Sequence, residues 1–350
     1  MNMVLDAKFS AEEIRQALFQ MYPTKAPGVD GLPALFFQKY WSTVGDGVVA
    51  ACLGCLNDGH PMHEVNSTLI TLIPKMERPR GVSDFRPISL CTSVYKIIAK
   101  SIMNRLRSIL GVVISESQSA FIPGRLISDN ALIGFECMHL LKKKKLGDHG
   151  FAALKLDMSK AYDRVEWGFL QSIMLRLGFS LSWVDLILRC VSSVSYSFLV
   201  NGEVFGMVQP SRGLRQGDPL SPYLFIICSE GLSAPARAAE SDGWLLGLRC
   251  GRYGPQISHL FFADNSLLFF RASPIDCSAV GVLLVQEMEL LLVLLWRFWF
   301  RRNRAVHSAP LLTMMLLQSL IFLFVSELFW VESCPPFVDV LVQEDFTGEL

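Results

Sequence analysis

The chain has 350 residues, 51% hydrophobic and 18% charged, with no net formal charge. That length suffices for two or three packed subdomains, and the composition excludes intrinsic disorder. Charge alone does not suggest a nucleic-acid binder: four Arg, no Lys and nine Asp/Glu in 276–350 leave 28 basic and 23 acidic residues in 1–275, a net of only +5.

The N-terminus has neither the basic start nor the apolar core of a signal peptide, so a nuclear or cytoplasmic protein is expected. Ser10 to Glu13 reads as a capping box, with Phe9 and Ile14 placed as a hydrophobic staple, and predicts a helix to about Met21. A Pro/Gly turn segment, Lys25 to Gly31, precedes two helices, Leu32 to Trp41 and on to about Leu56. Cys52 and Cys55 form a CxxC with no second pair. Buried thiols in a reducing compartment are therefore expected, rather than a four-ligand zinc site. Ser67–Ile73 is β-branched and predicts a strand, and the chain is expected to turn helical after Pro87, to Leu110. Lys142–Lys145 is a basic run beside Gly147 and Gly150, read as a solvated loop or a phosphate contact.

Phe151–Leu156 predicts a short strand that ends at Asp157, followed by helices over 159–176 and 181–193. Tyr196–Val200 and Val204–Val208 flank Asn201-Gly202, a strong hairpin signal. Pro219–Ala239 predicts a long apolar helix, and Ile257–Phe262 with Ser266–Phe270 a second hairpin around Ala263-Asp264-Asn265. Beyond Arg271 the residues become Leu/Val/Phe-rich, over 279–295 and 311–330. The second run reaches membrane-spanning length, but Gln318 and Glu327 interrupt it and no basic flank follows, so no membrane partner is expected.

One carboxylate at the tip of an apolar strand (Asp157) and one in the turn of an apolar hairpin (Asp264) suit a metal-dependent nucleotidyl transferase. Phosphoryl transfer by two metal ions about 3.5–4 Å apart needs hard oxygen ligands on a rigid frame. Taken singly, each Asp reads as a turn or cap residue, and only the context of the pair lifts it above that reading.

The surrounding blocks resemble plant LINE (non-LTR retrotransposon) reverse transcriptases. Lys25 to Gly31 with Phe36 to Trp41 is similar to their opening block, and Ile70 to Lys75 with Asp84 to Leu90 to their fingers motifs. Gln118 to Arg125 matches the next block. Lys155 to Trp167 resembles motif A, Gly213 to Pro222 motif B and His259 to Ser266 motif C, in family order over roughly residues 10–271. The resemblance implies an α+β right-hand polymerase, fingers and palm, with an antiparallel palm sheet. It divides the chain into an N-terminal helical extension (1–66), a fingers/palm domain (67–272) and a hydrophobic tail (273–350). The implied function is RNA-directed DNA polymerisation with two Mg²⁺ ions, or Mn²⁺, an RNA template with a DNA primer, and dNTPs.

The same resemblance assigns roles residue by residue. Asp157 and Asp264 would hold the metal ions, with the backbone carbonyl of Met158 as a further ligand. Tyr162 would stand at the steric-gate position against a ribose 2′-OH; its other reading is a core tyrosine on a helix. Lys75 and Arg86 would neutralise the triphosphate, and Gln216 and Gly217 would lie against the sugar and base. Arg125 would contact phosphate or template; its other reading is a surface or ion-paired Arg.

Two departures bear on activity. Asn265 replaces the second Asp of motif C. Asn tolerates the positive φ of a hairpin turn as Asp does, so the fold is expected to survive. The loss of one negative charge, however, predicts weak or no polymerisation, since one preorganised electrostatic partner is worth on the order of 10²–10³ in rate. Beyond Arg271 the family's Lys-bearing element and helical thumb are not recognisable; Leu294 to His307 instead resembles the lead-in to a ribonuclease-H-like region. The expectation is a truncated or rearranged element, with a catalytically dead remnant that at most binds nucleic acid as the alternative.

Overall fold

The computed structural model describes residues 1–143, 150–158, 160–250, 254–273 and 275–283. The calls on Lys144, Lys145 and the apolar tail beyond Leu283 fall outside them. In chain order the helices α1 (Asn2–Leu5), α2 (Ala11–Phe19), α3 (Ala34–Lys39) and α4 (Trp41–Asn57) come first. Strands β1 (Ser67–Pro74) and β2 (Phe85–Cys91) and helices α5 (Ser93–Val113) and α6 (Ile127–Lys143) follow. Then come β3 (Phe151–Asp157), α7 (Trp167–Arg176), α8 (Leu181–Ser192), β4 (Ser195–Val200), β5 (Glu203–Val208) and α9 (Ser221–Ser241). The short strands β6 (Leu248–Arg249) and β7 (Gln256–Ile257) precede the hairpin of β8 (His259–Phe262) and β9 (Asn265–Arg271). The fold class is α+β, and the chain divides into two compact units, Met1–Val113 with Tyr162–Cys228, and Ile114–Ala161 with Ser229–Leu350.

In the first unit the sheet order is β2-β1-β4-β5. The β1 strand pairs antiparallel with β2 and parallel with β4. The capping box forms as expected: Glu13 N–H donates to Ser10 Oγ, and Ser10 N–H to Glu13 Oε2. Glu13 also accepts from Arg105 at 2.7 and 2.9 Å, which pins α2 against α5, and burial buffers this pair against water. The expected helix after Pro87 begins only at Ser93. Pro87 lies in β2, the edge strand, where a residue without an N–H is tolerated. The helix expected from 159 begins at Trp167, because 160–164 forms turns, with Lys160 at φ 53°.

The second unit carries a three-stranded antiparallel sheet, order β3-β9-β8. Both faces of this sheet are covered, which accounts for the unbroken apolar run Leu267 to Phe270. Leu268 and Phe270 join Leu156, Leu232 and Phe261 in one core. Phe269 joins Cys137 of α6, Leu248 and Leu260 in another. Helix α6 was not anticipated. Among the described residues no helix is long and apolar enough to cross a membrane.

Candidate active site

The β8–β9 hairpin closes on two residues, Ala263 and Asp264, with Phe262 paired to Asn265. Asn265 is therefore the first residue of β9 rather than a turn residue, and the positive φ (59°) falls on Ala263. This corrects the reason for expecting Asn to be tolerated: at this position it occupies a paired strand site that needs no left-handed backbone. Across the sheet Asn265 pairs with Asp157, the last residue of β3. One residue on, Met158 N–H donates to the Asp264 carbonyl at 3.2 Å. These two contacts bring Asp157, Met158, Asp264 and Asn265 to one end of one sheet.

Asp264 is half-buried, and its Oδ1 accepts from the Asn265 amide at 3.4 Å. An Asp at 265 would set a second carboxylate beside the first, so in this chain the amide replaces a repulsive pair that would favour a cation. Among the described residues Asp264 forms no ion pair, and no three His, Cys, Asp or Glu side chains gather into a metal-binding group.

Two buried side chains behind the hairpin belong to the resembling blocks but take no role from them. Gln118 accepts through Oε1 from Ala263 N–H at 3.3 Å. His259 is 3% exposed, with Nε2 2.9 Å from Ser233 Oγ and Nδ1 2.9 Å from Ser258 Oγ. Burial, with the Arg237 charge nearby, pushes the His259 pKa down to about 4. Their signal is not in spacing, because each reaches at least one partner distant in the chain, Ala263 for Gln118 and Ser233 for His259. Arg125 also lies in this unit. Its guanidinium donates to the carbonyls of Ser115, Gln118 (2.7 Å) and Ile114 (3.0 Å), so here it clamps a loop.

The other candidate residues lie in the first unit. The motif B loop is pinned on two sides. Gly213 N–H donates to Val165 O at 2.7 Å and Leu214 N–H to Tyr162 O at 2.8 Å, while Ser89 N–H of β2 donates to Gln216 O at 2.8 Å. Gly217 has φ +112°, and a Cβ there would stand 2.9 Å from the Ser89 carbonyl oxygen, so glycine is required. The Tyr162 ring stacks on Phe225 with centroids 5.2 Å apart and planes 11° apart, in a turn and not on a helix. Lys75 and Arg86 are exposed. Lys75 N–H donates to Asp84 O and Arg86 pairs with Ile73, so the register puts both cations on one face of the β1–β2 ribbon. Lys75 Nζ also donates to Ser83 O at 2.9 Å.

Sequence reasoning also passed over the base of this loop. Arg215 and Asp218, each 3% exposed, form an ion pair at 2.7 Å. Tyr95 OH donates to Asp218 Oδ2 at 2.9 Å, and the Arg215 guanidinium lies 4.0 Å from the centre of the Tyr95 ring.

An Asp in a hairpin turn, with a second Asp at the last position of the strand paired beside it, is a residue pattern suited to hard divalent cations. The comparisons with known proteins agree with that class. The family described as "Reverse transcriptase (RNA-dependent DNA polymerase)" matches residues 73–288. The chain belongs to that family, and its domain is of the non-LTR retrotransposon type. It is 32% identical over 226 residues to the transposon TX1 uncharacterized 149 kDa protein of Xenopus laevis, over 65% of this chain and 17% of that protein. It is 25% identical over 268 residues to a retrovirus-related Pol polyprotein from the type-1 retrotransposable element R2 of Popillia japonica, over 73% of this chain and 34% of that protein. A 69-residue stretch is 56% identical to an uncharacterized mitochondrial protein of Arabidopsis thaliana, over 20% of this chain and 57% of that protein. The chain thus spans less than two thirds of the length of each of these relatives.

Proposed function

We propose that this chain is the polymerase core of a LINE-type element of plant origin. It would copy an RNA template by adding deoxynucleotides to a DNA primer 3′-OH, at a rate limited by Asn265. The observation that carries the reading is the junction of β3 with the β8–β9 turn, where Met158 N–H holds the Asp264 carbonyl and Asp157 pairs with Asn265. Mg²⁺ or Mn²⁺, when bound, supplies the positive charge that phosphoryl transfer requires at the attacking and leaving oxygens. An Asp264 carboxylate without an ion-pair partner among the described residues fits such a cation.

The chain's own residues bind and orient. Asp157 and Asp264, with the Met158 carbonyl, would hold the cations. The exposed Lys75 and Arg86 would bind triphosphate oxygens. Tyr162, whose ring stacks on Phe225, would crowd a 2′-OH. Gln216 and Gly217 would meet the sugar and base. We assign Arg125 no substrate contact, because three loop carbonyls already engage its guanidinium. The chain would act in the nucleus or cytoplasm.

A second reading, a catalytically dead remnant that binds nucleic acid, is favoured by Asn265 alone: its amide hydrogen faces the carboxylate that a cation would need. Primer extension on an RNA template with dNTPs and Mg²⁺ separates the two. Extension by the original chain, abolished in Asp157→Ala, supports the enzyme. A folded but silent original chain that retains template affinity supports the remnant.

A further inference from the structure

We propose that Gln118 is a positioning residue that fixes the turn bearing Asp264, and so the place of that carboxylate; this deepens the polymerase reading and rests on it. Ala263 adopts φ 59°, a backbone conformation that strains any residue with a Cβ. Such strain persists only where the surroundings over-determine it. Gln118 supplies the constraint. Its side chain is fully buried, and Oε1 accepts from Ala263 N–H at 3.3 Å and from Ala120 N–H at 2.9 Å.

The base from which it reaches is itself tied to β8, the edge strand of the sheet. Phe261 N–H donates to Ser117 O at 2.8 Å, and Gln118 forms a parallel bridge with Phe261. Asn130 Nδ2 donates to Ser117 O at 2.8 Å and to Phe261 O at 3.1 Å. Arg125 holds the carbonyls on either side. The chain from Ser115 to Arg125 is thus a bracket on the outer edge of β8, with the Gln118 oxygen as its contact to the turn.

The amide's orientation distinguishes this role from ordinary packing. Two backbone N–H donors oblige the oxygen to face them, which leaves Nε2 buried with no hydrogen-bond partner among the described residues. A buried donor without a partner destabilises, and an apolar side chain of the same volume would avoid it. Gln118 therefore sacrifices stability to place one acceptor under Ala263. Side chains that orient a ligating group act on metal affinity without touching the metal.

The test is Mn²⁺ binding by the full chain, read as loss of the free-ion electron paramagnetic resonance signal, with hydrogen exchange of the 259–266 segment measured in parallel. Gln118→Met is expected to weaken Mn²⁺ about 10- to 100-fold and to speed exchange in that segment. Gln118→Glu, which keeps the acceptor, is expected to retain the slow exchange of that segment. Leu245→Ala, a cavity in the same unit's core, is expected to lower stability but leave Mn²⁺ affinity unchanged. Wild-type affinity in Gln118→Met, or an equal loss in Leu245→Ala, would overturn the proposal. Asp264→Asn separates the underlying reading: if it binds Mn²⁺ as tightly as the original chain, the metal site is refuted and the positioning role with it.

Discussion

His259 gives the second unit an acid sensitivity that can be calculated. It is held neutral between two serine hydroxyls on β8, and burial, with the Arg237 charge, moves its pKa from the ordinary 6.5 to about 4. For a base whose folded pKa lies below its unfolded value, the unfolded chain takes up the proton first. The stabilisation is therefore complete above about pH 6.5, declines as pH falls toward 4, and levels off below. At 1.36 kcal/mol per pKa unit, the linkage between pH 7.5 and 4.5 amounts to about 2.5 kcal/mol. Other carboxylates titrate in the same range, so the measurement is a difference. Urea unfolding of the original chain and of His259→Gln would be followed at both pH values. Gln keeps a polar, uncharged side chain between the hydroxyls. The original chain is expected to lose about 2.5 kcal/mol more than the variant. Parallel losses in the two proteins would refute the reasoning, since His259 would then titrate alike in the folded and unfolded states.

The remaining predictions concern the two units separately. Arg215→Met leaves the Asp218 carboxylate buried without its partner and is expected to destabilise the first unit by about 3–5 kcal/mol in chemical denaturation; a loss below 1 kcal/mol would mean the pair is not buried as described. Gly217→Ala forces a Cβ against the Ser89 carbonyl at φ +112°, at an expected cost on the order of 1–3 kcal/mol, measured the same way and accompanied by faster exchange of the Ser89 amide. Cys137 and Cys250 have their sulfurs 3.5 Å apart. A chemical oxidant should join them as a disulfide visible in a non-reducing peptide map, slowly, because burial pushes the Cys137 thiol up to about 12; a reduced pair after prolonged oxidation at alkaline pH would contradict that geometry.

Much of this architecture is legible in the sequence where local chemistry decides. The Ser10–Glu13 cap, the Asn201-Gly202 turn and the apolar strand ending at Asp157 each sit where residue type and spacing put them. The misreadings are tertiary. Pro87 predicts a break into helix, but pairing with β1 makes 85–91 a strand that tolerates proline at its open edge. Helix α6 leaves Leu132 and Phe135 exposed and buries Cys137, so its sequence lacks a clean apolar stripe. At the site, the two Asp positions are legible because strand tips and turns are local features. Gln118 is not, because its partner Ala263 lies 145 residues away. The sequence pattern suggests a three-residue turn that includes Asn265, whereas the two-residue turn puts the positive φ on Ala263.

The central claim is that the junction of Asp157 with the Ala263–Asp264 turn is a polymerase site limited by Asn265. Single-nucleotide addition to a primer on an RNA template tests it most directly, with the original chain, Asn265→Asp, and Asp264→Asn combined with Asn265→Asp compared at saturating Mg²⁺. The account predicts that Asn265→Asp adds the nucleotide about 100-fold faster than the original, and that the combined variant, which moves the carboxylate to the neighbouring position, loses that gain. A folded Asn265→Asp protein no faster than the original would contradict it.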